Sequence, residues 1–150
     1  MTARGVIAVF LCMIFIPGCS TLSTDKVRYA KNYSVNTARQ ATISSPMIIF
    51  ERTEYVRGSR PVGDVQSREH WERIEYASDG SFREELVYRG RSGNVIHITY
   101  REYRKDMFSP AFYKELNYDL GESDVFEFRH FRVRVLDATR EYIRYVVLGD

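Results

Sequence analysis

The chain has 150 residues, a formal charge of +2, 44% hydrophobic and 14% aromatic residues. That is enough for one domain and hardly for two, and a balance so near neutrality argues against nucleic acid, which favours a clearly basic face. The two cysteines, Cys12 and Cys19, both lie near the N-terminus, so the rest of the chain has no thiol for a disulfide, a redox pair or a cysteine metal site.

Residues 1–4 form a short head carrying one positive charge, Arg4, and residues 5–16 follow without a charge or an amide. A membrane-crossing helix needs about 20 apolar residues. This run is too short for that, but it has the length and the basic flank of a secretory h-region. Pro17-Gly18 then breaks any helix. The order Ile16-Pro17-Gly18-Cys19-Ser20 resembles the lipobox of bacterial lipoproteins. The resemblance implies cleavage before Cys19 and lipidation of Cys19 by diacylglyceryl and amide-linked acyl chains. One acyl chain, at about 0.8 kcal/mol per buried methylene, anchors only marginally, so stable attachment needs more than one. Ser20 in place of Asp implies, by the same resemblance, passage to the outer membrane. Residues 1–18 are thus expected as a lipoprotein signal peptide. Their removal takes away only Arg4 among the charges and leaves the balance at about +1.

Residues 20–32 are polar and lack periodicity, and with Cys19 are expected as a lipidated tether over residues 19–32; the thirteen residues after Cys19, fully extended, reach about 45 Å at most. From Tyr33 a β-rich domain is expected to run to the last residue. Residues 34–43 read as a weak strand, and 46–56, β-branched and aromatic, as a stronger one. Residues 57–69 carry Gly58, Pro61 and Gly63 and read as a loop. Residues 71–77 alternate, and Asp79-Gly80 behind them is a strong hairpin signal. Residues 82–89 return with Phe82, Leu86 and Tyr88 on one face, interrupted there by Glu84. A second turn at residues 90–94 leads to residues 95–104, with Ile96, Ile98 and Tyr100 together. Three strands joined by two turns make a meander. Pro110 keeps residues 106–115 out of a central strand. Leu116, Tyr118 and Leu120 resume a two-residue period. Residues 125–136 carry Phe126 and Phe128, then Phe131, Val133 and Val135, a parity switch that reads as a bulge at Arg129-His130. A turn at residues 137–140 leads to a last strand with Ile143, Tyr145 and Val147 on one side. The fold expected is all-β: a single antiparallel sandwich or small barrel.

Several phrases of residues 82–147, namely Tyr88-Arg-Gly-Arg-Ser-Gly-Asn94, Thr99-Tyr-Arg-Glu-Tyr103, Ser109-Pro-Ala-Phe112 and Tyr118-Asp-Leu120, resemble the C-terminal half of small bacterial lipoproteins. That group has no assigned activity. The resemblance implies a β-rich lipoprotein domain and transfers no functional residue.

Candidate chemistry is sparse. His70, His97 and His130 are far apart, and no pair has metal-ligand spacing. Ser92 and Ser109 form no Gly-x-Ser-x-Gly elbow. Glu84 and Glu85 are adjacent on a strand and point to opposite faces. Glu84 among apolar neighbours is either buried with an arginine partner or, the reading preferred, in water at a frayed strand start. Arg132 and Arg134 alternate with apolar residues, and Arg101 and Arg104 follow another strand. On a shared face these arginines would grip phosphates or carboxylates; Glu127 and Glu141 would instead neutralise Arg132 and Arg134 in an ordinary solvated face. Met107, Phe108, Phe112 and Tyr113 are either an exposed partner patch or a plug over the open end of the core. The binding candidates are therefore Arg101, Arg132, Arg134, Phe108 and Phe112, with Cys19 as the lipidated residue and no metal, cofactor or catalytic residue.

The expected function is a non-enzymatic interaction or structural module of the cell envelope. It would be held at the outer membrane by acyl chains on Cys19, with its domain in the periplasm and an envelope protein as partner. The alternative is a small-ligand-binding β-barrel lipoprotein.

Overall fold

The computed structural model describes residues 24–61, 71–104 and 110–150. Ten strands and no helix are found among them: β1 (Thr24–Lys31), β2 (Ala38–Thr42), β3 (Pro46–Pro61), β4 (Trp71–Ala77), β5 (Phe82–Ser92), β6 (Val95–Arg104), β7 (Phe112–Asp119), β8 (Val125–Phe128), β9 (Phe131–Ala138) and β10 (Tyr142–Gly149). All pairings are antiparallel. One sheet has the order β1-β3-β5-β6-β7, with β4 also on β3; the other has the order β2-β10-β9-β8. The sheets do not close into a barrel, and the architecture is that of a β-sandwich.

Alternation decides which side chains meet between the sheets. Ile48 of β3, Leu86 and Tyr88 of β5, Ile96, Ile98 and Tyr100 of β6 and Leu116 of β7 face Phe126, Phe131, Val133, Val135, Ile143, Tyr145 and Val147 of the second sheet in one cluster. Three tyrosines in this layer place their hydroxyls on backbone carbonyls, as a buried phenol requires. Tyr145 donates to Met47, Tyr88 to Thr139 and Tyr118, at 3.3 Å, to Glu127. Each of these bonds ties one sheet to the other or to its turn. Burial pushes the Tyr145 phenol up to about 12.

Several sequence expectations are corrected. Of the tether expected over residues 19–32, Thr24–Lys31 is instead edge strand β1, paired with β3 from Thr24↔Val56 to Lys31↔Phe50, while residues 19–23 lie outside the described residues. The polar composition of β1 suits an edge strand, which buries no full face. Of the loop expected over residues 57–69, residues 57–61 belong to β3, which runs on to Pro61, and the rest lies outside the described residues.

Ser78-Asp79-Gly80-Ser81 is not a hairpin. Ala77 pairs with Tyr55 and Phe82 with Arg52, so β4 and β5 lie end to end on the same edge of β3. The four residues bulge outward, tied to Glu54 by the Ser78 and Ser81 hydroxyls. The Asp-Gly signal marks a reversal that the long partner strand does not allow. The expected meander thus loses its first turn. Its second is a true two-residue hairpin at Gly93-Asn94, where Gly93 has the positive φ of +59° that this position needs.

Arg129-His130 is likewise a hairpin turn, between β8 and β9, and not a bulge: Phe128 pairs directly with Phe131. The parity switch recorded a chain reversal. Pro110 does lie outside any strand, but β7 begins at Phe112, within the stretch expected to be irregular.

Candidate functional site

The inward faces of β5 and β6 change character along their length. Leu86 and Tyr100, paired across the two strands, are fully buried in the layer between the sheets. The next inward positions toward the other end are Glu84 on β5 and Glu102 on β6, only 2% and 6% exposed, and they pair directly across the two strands. A buried carboxylate is costly unless it is charge-paired and hydrogen-bonded, and both are. Tyr100 points its hydroxyl between them, 2.7 Å from Glu84 Oε1 and 2.9 Å from Glu102 Oε2. Arg129 Nη1 bridges the same two oxygens at 2.8 and 2.9 Å. The Arg129 guanidinium also lies over the Tyr100 ring, 4.6 Å from its centroid. Arg104 closes the outer side, with Nε and Nη2 each 2.6 Å from Glu102 Oε1.

Arg129 reaches this position at a conformational cost. It occupies the first turn position of the β8–β9 hairpin with φ of +54°, a region unfavourable for a residue with a Cβ. A glycine would suit the turn better, but it would leave two buried carboxylates without their bridging cation.

Glu84 Oε2 is the exception to full satisfaction: it is buried and accepts no hydrogen bond, with His130 Nε2 3.3 Å away. Beside it opens a pocket of about 360 Å³, lined by Arg52, Gly80, Phe82, Arg104, Arg129 and His130, with Glu84 and Glu102 as its acidic wall. Arg52 is itself paired with Glu54.

The titration directions follow from this geometry. Burial pushes the Glu102 carboxyl up, but hydrogen bonds from Tyr100 and Arg104, the Arg104 charge and a hydrogen bond from Arg129 together hold it below the usual range. Burial, followed by the hydrogen bonds to Glu84 and Glu102, drives the Tyr100 phenol well above its ordinary value. Chemically, the cluster holds one buried carboxylate oxygen, Glu84 Oε2, that accepts no hydrogen bond and has the His130 imidazole as its ion-pair partner. Among the described residues, no group of three or more His, Cys, Asp or Glu side chains is placed to hold a metal ion.

The residues singled out from sequence do not converge here. Cys19 and Phe108 lie outside the described residues, as do Met107, His70 and Ser109. Arg132 and Arg134 project from the outer face of β9, paired with Glu127 at 3.0 Å and Asp124 at 3.6 Å. The neutralised reading thus holds for Arg132 with its expected partner, and for Arg134 with a different one. Arg101 lies on the outer face of the other sheet, so the arginines do not share a face and cannot grip one ligand together. It lines a groove of about 410 Å³ with Arg89, Thr99, Tyr103, Pro110, Tyr113 and Glu115. Phe112 is half exposed at the start of β7, its ring 6.1 Å from that of Tyr100, beside the ionic cluster.

Glu84 is buried with an arginine partner, which overturns the preferred reading of a frayed strand start in water. Tyr100, Glu102, Arg129 and His130 were not recognised as its companions. A signal for Glu102 existed: it follows Tyr100 by two residues, as Glu84 follows Phe82, so both acids break an apolar face. Nothing in the local sequence brings Arg129 to them, because that contact spans the two sheets.

Comparison of the chain with family models, with curated proteins and with solved structures finds no match.

Proposed function

We propose that the protein is an outer-membrane-anchored lipoprotein whose β-sandwich serves as a non-enzymatic interaction module of the cell envelope. The observation that carries this reading is Ile16-Pro17-Gly18-Cys19-Ser20 behind a short apolar run, with strand β1 beginning only five residues after Cys19. Lipidated at Cys19, the sandwich is held close to the bilayer, where a partner in the same layer meets it repeatedly. The ionic cluster supports a structural role, since its charged groups spend most of their bonds on one another. The contact surface favoured for a partner is the outer groove around Arg101 and Tyr113. There the Arg101 side chain has no hydrogen-bond or ion-pair partner among the described residues, and Tyr113 is 67% exposed, the pairing of cation and aromatic side chain that interface centres favour.

Photo-crosslinking in intact cells tests this. A crosslinker at Tyr113 is expected to capture an envelope protein that a crosslinker at Arg134, on the opposite face, does not. Recovery of only free monomer from both positions would sink the interaction reading.

One observation favours a second reading, a small-ligand carrier: the unbonded Glu84 Oε2 beside a pocket. With no closed barrel, the ligand would sit at the end of the sandwich and donate a hydrogen bond to Glu84. Its mark would be ligand-induced stabilisation in a thermal-shift screen of envelope sugars and amines, abolished by Phe82→Trp, which fills the pocket.

A further inference from the structure

β3 outruns its neighbours. Its pairing with β1 ends at Thr24↔Val56, yet its pairing with β4 continues through Gly58↔Ile74 to Pro61↔Trp71. Beyond Val56, among the described residues, the sheet is therefore a two-stranded ribbon. Five residues at about 3.4 Å each carry it about 17 Å past the last β1 pair. An isolated two-stranded ribbon is marginal in water, so one of this length gains from a surface to rest on.

The chain direction gives that surface a position. β1 is antiparallel to β3, so the polypeptide enters the sheet at Thr24 from the side toward which the ribbon points. Thr24 lies five residues after Cys19, and five extended residues span about 18 Å at most. Anchor segment and ribbon thus leave the same level of the sheet, and the ribbon reaches as far as the anchor segment can stretch.

We infer that the β3–β4 ribbon is a membrane-contacting arm, whose far end, at the Pro61↔Trp71 pair, rests on the phospholipid headgroups of the bilayer that holds the anchor. This rests on the lipoprotein reading above and adds an orientation to it. A sandwich whose first strand starts within about 18 Å of a lipidated residue cannot stand upright without bringing the ribbon to the headgroups. The residues of the ribbon suit the place. Over residues 57–75 the charges balance, Arg57, Arg60, Arg68 and Arg73 against Asp64, Glu69, Glu72 and Glu75, so the arm is not repelled by anionic lipid. Trp71, at the last pair, is of the residue type enriched at membrane–water interfaces.

The chain has a single tryptophan, so its emission reports on the arm alone. Full-length protein labelled with palmitate in cells is purified and reconstituted into vesicles of phosphatidylethanolamine and phosphatidylglycerol, with a headgroup-attached nitroxide lipid as quencher. The emission is expected to shift to the blue by several nanometres and to lose most of its intensity to the quencher. The control protein carries Trp71→Phe together with Glu122→Trp, which moves the fluorophore to the β7–β8 turn at the opposite end of the sandwich. Its emission is expected to stay unquenched. Labelled protein with unquenched Trp71, or a control quenched as strongly as the native chain, would overturn the arm while leaving the anchor standing. Protein that takes up no palmitate would remove both.

Discussion

Two ends of the same interior, built by the same strands, are held together in different ways. At one end Leu86, Ile98, Val133 and Ile143 are fully buried and need only shape and volume. At the other, Glu84, Glu102, Tyr100 and Arg129 are fixed by directed, charge-assisted bonds. Strand alternation assigns all of these residues except the turn residue Arg129 to one layer, but it does not reveal whether a given position is dry. The apolar end tolerates changes that keep its volume. The ionic end has partners that stabilise one another and become a liability when one is lost. That end also faces the same way as the β3–β4 ribbon, so the more specific chemistry of the domain lies on the side where the chain enters it.

This contrast can be broken at several points. Leu86→Ala, at the apolar end, is expected to cost about 3 kcal/mol through lost transfer energy and a cavity, read as a lowered urea midpoint at unchanged slope. Arg129→Gly relieves the turn but strips the bridging cation from two carboxylates. It is expected to cost about 2 kcal/mol, below the usual range for a broken buried pair because the adjoining pocket admits water. The decisive companion is the combined variant Glu84→Leu, Glu102→Leu, Arg129→Gly, Tyr100→Phe, which leaves no buried hydroxyl without an acceptor and is expected within about 1 kcal/mol of the parent. If instead the four losses add, the ends do not differ in kind.

Acid sharpens the same point. The folded-state pKa of Glu102 lies below its ordinary value of 4.5, so its contribution is complete above that value and is lost as the pH falls through the folded pKa. Urea midpoints are expected to hold from neutral pH down to about pH 5 and to fall below it, with Glu102→Gln flattening part of that fall. In base the sign reverses. Tyr100 keeps its proton past its ordinary value of 10.0, whereas the unfolded chain gives it up there, so stability declines as the pH rises above about 10. The smallest effect belongs to the outer face. Arg132→Ala removes an exposed pair with Glu127 and is expected to change stability by less than about 0.5 kcal/mol; a larger loss would show that the outer face also helps hold the sheet together.

Much of this fold was legible in the sequence. The inward sets Ile96, Ile98, Tyr100 and Phe131, Val133, Val135 were readable because a half-buried strand must alternate. What misled were signals with two structural solutions. Asp79-Gly80 fits a tight turn as well as it fits a bulge, and only the length of β3 decides for the bulge. The parity switch between Phe128 and Phe131 fits a bulge as well as a hairpin, and Arg129 in place of glycine hid the hairpin. β1 was missed because an edge strand pairs through its backbone and need not be apolar. The ionic cluster was half legible: Glu84 stood out on its face, but its partners come from β6 and from a turn of the other sheet. Contacts of that kind depend on how the sheets stack, which local pattern does not encode.

The central claim, that Cys19 carries lipid and holds the sandwich at a membrane, is open to one direct measurement. Cells producing the native chain and Cys19→Ser are labelled with palmitate and fractionated. The account predicts label and outer-membrane recovery for the native chain, and neither for the variant. Unlabelled protein that fractionates identically with and without Cys19 would contradict it.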